Sequence, residues 1–133
     1  MASRPVPQRD LESILGQTAN LWDQLRGQRL FLTGGTGFFG CWLLESFLYA
    51  NRALSLGASV VALTRSPMRF REKAPHLTND PAVRLLPGDI RRFTFPDGDF
   101  QYVIHAATDT SAEVVERPAD LFSSILDGTA PCA

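Results

Sequence analysis

Leu30-Phe31-Leu32-Thr33-Gly34-Gly35-Thr36-Gly37-Phe38-Phe39-Gly40 is the stretch that decides the fold. An apolar run suited to a buried strand enters a turn with glycines at positions 34, 37 and 40. The turn then opens into Phe38–Leu56, long enough for a helix of about four or five turns, with Gly57 suited to stop it. Between a strand and a helix each glycine has its own task. Gly34 permits a tight turn, Gly37 lets the backbone approach a pyrophosphate with no Cβ in the way, and Gly40 lets the helix pack closely on the strand. A helix starting near Phe38 aims its free N–H groups and positive dipole end at the same point. No Gly-Lys-Ser/Thr follows, which separates this turn from a phosphate-binding P-loop.

On either side of the turn the chain has two textures. Residues 1–9, with Pro5 and Pro7 among polar residues, are expected to form a loose tail. Asp10 is placed to cap a helix over residues 10–27, whose Leu11, Ile14, Leu15, Leu21, Trp22 and Leu25 recur at three- and four-residue steps. From residue 28 onward, short β-rich runs alternate with helical or loop stretches: Arg29–Thr33, Ser59–Leu63, Val83–Leu86 and Gln101–His105 are predicted strands. Alternation of this kind predicts an α/β fold. The expected form is a Rossmann-type parallel sheet in the order 3-2-1-4, flanked by helices, with residues 28–133 making a partial nucleotide-binding domain.

At 133 residues and 44% hydrophobic content, the chain can build one core. Thirteen basic against 14 acidic residues leave a net charge of -1, which argues against nucleic acid or an anionic membrane as a partner. Any bound anion must be held by a local site. Cys41 and Cys132 belong to no CxxC pair or spaced Cys/His set, so neither a disulfide framework nor a metal site is expected. The first ten residues lack an apolar signal region, and Phe38–Ala50 is broken by Glu45 and Ser46, so the expectation is a cytoplasmic chain with no membrane span.

The spacing Thr33-Gly34-x-x-Gly37-x-x-Gly40 resembles the fingerprint of the extended short-chain dehydrogenase/reductase family, the NAD-dependent epimerases and dehydratases that modify nucleotide sugars. Gly88-Asp89-Ile90, His105-Ala106-Ala107 and Asp127-Gly128-Thr129 follow in the order that family requires. The resemblance implies a dinucleotide cofactor, with Gly34, Gly37, Phe38 and Phe39 at the pyrophosphate. It also implies Asp89 on the adenine amino group with Ile90 against the ring, and Ala106, Ala107 and Thr108 along the cofactor's path. A Gly-Asp turn that only caps its own loop is the structural alternative for Asp89, and His105 is expected to pack beside the site without titrating in it. The second strand ends Thr64-Arg65, where NAD-preferring members usually carry an acidic residue for the ribose diol. Arg65 can instead pair with a 2′-phosphate, with Arg69 and Arg71 adding positive potential, which tilts the choice between NADP and NAD toward NADP.

Chemistry in this family needs a tyrosine and a lysine four residues apart. Tyr49 and Tyr102 are followed at that distance by Ala53 and Ala106, and Lys73 is the single lysine of the chain. No catalytic residue is therefore assigned, and the chain assayed alone is expected to be inactive. Pro131-Cys132-Ala133 stops the helix after Gly128, so the chain is expected to be the truncated cofactor-binding part of an enzyme whose full-length parent takes a nucleotide-sugar substrate. The alternative is a non-catalytic cofactor-binding sensor or interaction module. The fourth strand is then expected to be a bare sheet edge, open to self-association.

Overall fold

The computed structural model describes residues 3–107 and Asp127. Four strands, β1 (Arg29–Thr33), β2 (Ser59–Thr64), β3 (Val83–Pro87) and β4 (Tyr102–His105), form one sheet in the order β3-β2-β1-β4, and every pairing is parallel. The sheet is the one expected from the alternating pattern. Because the chain passes from β3 on one side to β4 on the other, the order reverses beside β1, and the C-terminal ends of β1 and β4 open the crevice where such sheets bind ligands.

The two inner strands are buried throughout after their first residue, as parallel strands covered on both faces must be. On one face Leu30, Leu32 and Val60 pack with Leu44, Phe47 and Leu48 of α2 (Phe38–Ala53). On the other, Phe31, Val61 and Leu63 meet Leu86, Ile90, Phe93 and Phe100. Phe31 is enclosed by three rings, those of Phe93, Phe95 and Phe100, at centroid distances of 5.5, 4.6 and 5.8 Å. β4 is the outer strand of the described sheet, and Tyr102, Val103 and Ile104 are exposed.

Helix boundaries depart from the sequence pattern in ways that have local causes. Helix α1 runs Gln8–Trp22 and continues as a 3-10 turn over Asp23–Leu25, so it begins before Asp10. The Pro7 carbonyl accepts from the Asp10 and Leu11 N–H groups, which puts Pro7 at the cap position and Asp10 inside the first turn. There its charge complements the helix dipole. Helix α2 ends at Ala53 rather than near Leu56, and Ser55 and Gly57 then turn the chain through left-handed backbone. Between β2 and β3 stand two short helices, α3 (Pro67–Lys73) and α4 (Pro75–Thr78). Each starts on a proline, which has no N–H to waste at a helix start, and together they bury Phe70, Ala74 and Leu77.

The N-terminal segment expected to be loose is tied down. Val6 is buried and its N–H donates to Glu45 Oε2 at 2.7 Å, while the Ser3 N–H donates to the Lys73 carbonyl at 2.6 Å. Glu45, only 6% exposed, also lies 3.1 Å from His76 Nε2 on α4. A buried carboxylate needs such partners, and here they join the N-terminal segment, α2 and α4.

Gly16 sits mid-way along α1 with nothing within 4 Å of an added Cβ. Gly16→Ala is expected to raise stability by about 0.5–1 kcal/mol through helix propensity, read as a higher denaturation midpoint at unchanged m-value.

Candidate functional site

The glycine turn closes between β1 and α2. Gly34 has φ 72°, a left-handed conformation, and a Cβ on it would fall on the Ala106 carbonyl. Glycine is therefore required both for the backbone angle and for the approach of the chain leaving β4. A Cβ on Gly40 would fall on the Gly34 carbonyl oxygen and the Gly35 Cα, so α2 starts in backbone contact with the turn itself rather than with the strand. Gly37 differs from both. Its backbone is extended, at φ -79° and ψ -177°, and a Cβ would meet only the Gly34 carbonyl, at an ordinary 3.5 Å. Space beside Gly37 is thus kept open on the side facing away from the fold.

Helix α2 begins at that open face with Gly37 at its cap position and no side-chain cap. First-turn N–H groups have no partner within a helix, and an uncapped start beside a cleared face is suited to an anion. Phe38 and Phe39 occupy this first turn and are 73% and 76% exposed. Their rings meet edge to face at 5.5 Å.

A cleft of about 650 Å³ runs from the turn to the end of β2, lined by Thr36, Thr64, Arg65, Ser66, Arg69, Phe70, Glu72 and Lys73. Arg65 and Arg69 therefore share one space, while Arg71 is not among its lining residues. The cation that sequence reasoning passed over is Lys73, whose Nζ donates to the Thr36 carbonyl at 3.2 Å. Its signal was present but conditional: Arg69 and Lys73 are four apart, so they share a face once the segment is recognised as a helix.

After β3, Asp89 Oδ1 accepts from the Arg91 backbone N–H at 2.9 Å and lies 3.3 Å from Arg91 Nε. These bonds, the backbone one foremost, hold the Asp89 carboxyl below its usual range, and the charges of Arg91 and Arg65 add to the effect. One oxygen of Asp89 thus organises its own turn, and Ile90 packs against the Phe31 cluster. A lowered folded-state pKa stabilises the fold above the usual carboxylate range, and that contribution disappears as pH falls below it. Asp89→Asn should therefore cost about 0.5 kcal/mol near neutrality, the size of a screened surface pair, with the difference from the unaltered chain vanishing in acid. A difference that persists unchanged at acid pH in parallel denaturation curves would contradict this assignment.

At the end of β4 the Ala106 N–H donates to the Thr33 carbonyl at 3.1 Å, and Thr33 Oγ1 lies 2.7 Å from His105 Nδ1. The small residues Ala106 and Ala107 thus lie against the glycine turn, as the close approach at Gly34 requires. Thr108, Gly128 and Thr129 lie outside the described residues. Cys41 is buried below the turn with Sγ 3.9 Å from the Gly35 carbonyl; burial pushes its thiol up, against a smaller opposing pull from Lys73. Among the described residues no cluster of His, Cys, Asp and Glu is arranged to hold a metal, and no helix is long and apolar enough to cross a membrane.

Gly34, Gly37, Phe38, Phe39, Ala106 and Ala107 therefore meet at the crevice beside β1, with Arg65 and Asp89 at the same, C-terminal edge of the sheet. No curated protein and no solved structure matches the chain. A family model does, over residues 30–131, a span running from β1 through the glycine turn and the rest of the sheet. The chain belongs to the NAD dependent epimerase/dehydratase family.

Proposed function

We propose that the chain binds a nicotinamide dinucleotide across the C-terminal edge of its sheet, with the pyrophosphate at the glycine turn and the adenosine toward β2 and β3. Membership of the family implies a nicotinamide dinucleotide cofactor. The observation that carries the placement is the open face of Gly37 beside the uncapped start of α2. Asp89 and Ile90 flank the adenine in this reading, and Ala106, Ala107 and Thr108 line the path toward the nicotinamide.

Arg65 supports a preference for NADP over NAD. It lines the cleft with Arg69, and no acidic residue stands at the end of β2 to take the ribose hydroxyls. A charged hydrogen bond to phosphate contributes about 1.5–3 kcal/mol. Arg65→Ala should thus weaken NADP about tenfold or more and leave NAD nearly unchanged in calorimetric titrations. Equal losses for both cofactors would make Arg65 a general electrostatic residue.

The reaction served is the oxidation, epimerisation or dehydration of a nucleotide-linked sugar, in the cytoplasm. These 133 residues supply its cofactor site: neither Tyr49 nor Tyr102 has a lysine four residues on. The exposed outer strand β4 supports pairing with further chain at that edge, a second copy included.

A further inference from the structure

We infer that Glu45 is a positioning residue for the dinucleotide site: by tying the N-terminal segment, residues 3–7, to α2 and α4, it fixes α3, one wall of the cofactor cleft. The inference rests on the dinucleotide reading above and brings in residues that lie ahead of the family-matched span, 30–131.

Both oxygens of Glu45 are engaged. Oε2 accepts the Val6 N–H at 2.7 Å, and Oε1 lies 3.1 Å from His76 Nε2. A carboxylate only 6% exposed has lost most of its hydration and depends on such partners. Neither partner belongs to the sheet, since Val6 precedes α1 and His76 stands on α4. What the two bonds secure is the far side of the cofactor cleft. Ala74 alone separates α3 from α4, and the other end of the N-terminal segment reaches α3 directly, the Ser3 N–H donating to the Lys73 carbonyl at 2.6 Å. From the same residue the connection continues to the glycine turn, where Lys73 Nζ donates to the Thr36 carbonyl at 3.2 Å.

Helices of seven and four residues do not hold themselves in water. α3 and α4 keep their place through the burial of Phe70, Ala74 and Leu77 and through the N-terminal segment. Arg69, Phe70, Glu72 and Lys73 of α3 line the cofactor cleft, so a shift of α3 changes its width. The N-terminal segment is fastened at points rather than packed along its length: a groove of about 600 Å³ lies between Pro5, Val6, Gln8 and Leu11 on one side and α2 and α4 on the other. Release of Val6 from Glu45 therefore frees the segment, and α3 with it, without opening the sheet. A ligand that needs α3 in place favours the fastened segment, and by linkage the fastened segment favours the ligand.

Hydrogen exchange and calorimetric titration of the full chain test this in the unaltered protein, Val6→Pro, Glu45→Leu and Glu45→Gln. Proline has no N–H to donate, so Val6→Pro deletes the bond from the N-terminal side, whereas Glu45→Leu removes the acceptor. Both variants should speed amide exchange over residues 67–78 about tenfold while exchange in β1 and β2 stays as it was. Both should weaken NAD and NADP alike, about fivefold, unlike Arg65→Ala, which weakens NADP alone. Glu45→Gln keeps an oxygen for the Val6 N–H and should behave nearly as the unaltered chain does. Because Pro5 and Pro7 carry no N–H, Val6 has the one backbone amide among residues 5–7, and saturating dinucleotide should slow its exchange. Exchange that rises equally in β1 and β2 would overturn the positioning role, because it marks a residue that merely holds the fold. If the unaltered chain bound neither dinucleotide, the dinucleotide reading would fall and this inference with it; if it bound both, and Val6→Pro and Glu45→Leu bound as well, only the role of Glu45 would fall.

Discussion

Gly37→Val should lower dinucleotide affinity roughly 100-fold or more, about 3 kcal/mol, while the chain stays folded. Two observations separate the effects. The Gly37 backbone is extended and accessible to any residue, and its Cβ position meets only the Gly34 carbonyl, at 3.5 Å. The fold therefore loses only what valine costs at a helix cap, about 1 kcal/mol. The branched side chain instead fills the face against which the pyrophosphate must lie. Titration calorimetry paired with a thermal melt reads both quantities, and unchanged affinity would remove the pyrophosphate from this turn.

Gly40→Ala, three residues on, should do the reverse and damage the fold first. Its Cβ would fall on the Gly34 carbonyl oxygen and the Gly35 Cα, which are backbone atoms that no rotamer change can move aside. Relief requires α2 to lift off the turn, and α2 carries Leu44, Phe47 and Leu48 into the larger core cluster. The gain from alanine's helix propensity is about 1 kcal/mol, and the strain exceeds it, for a net loss on the order of 3 kcal/mol. A chemical denaturation curve with an unshifted midpoint would show that the contact between α2 and the turn is looser than described. The pair matters because a glycine motif can be preserved for ligand or for packing, and here the two reasons fall on different glycines.

The sheet was legible because its signals are local. Val60–Leu63 is unbroken apolar chain, as a strand covered on both faces must be, and the Gly34–Gly40 turn sits in its strand–turn–helix context. Right-handed crossovers leave several parallel orders open, and the family resemblance is what pointed to 3-2-1-4. What stayed hidden depends on contacts far apart in sequence. Glu45 interrupted an apolar stretch and gave no hint that it would be buried as the acceptor for Val6, 39 residues away. That one bond turns an apparent tail into an anchored segment. Similarly, Pro67 and the arginines after it resemble a solvated loop, whereas Phe70 fixes them as a short helix by burying its ring. With α3 unrecognised, Lys73 had no reason to be placed at the cleft. Asp89 carried two readings from the sequence, a partner for adenine and a turn that caps its own loop, and its Oδ1 does accept from the Arg91 N–H of that turn.

Calorimetric titration of the purified chain with NADP, repeated with NAD, tests the central claim most directly. Saturable binding at one site per chain, tighter for NADP and lost in Gly37→Val, is the expected result. A folded chain, shown so by a cooperative melt, that binds neither dinucleotide would contradict the account.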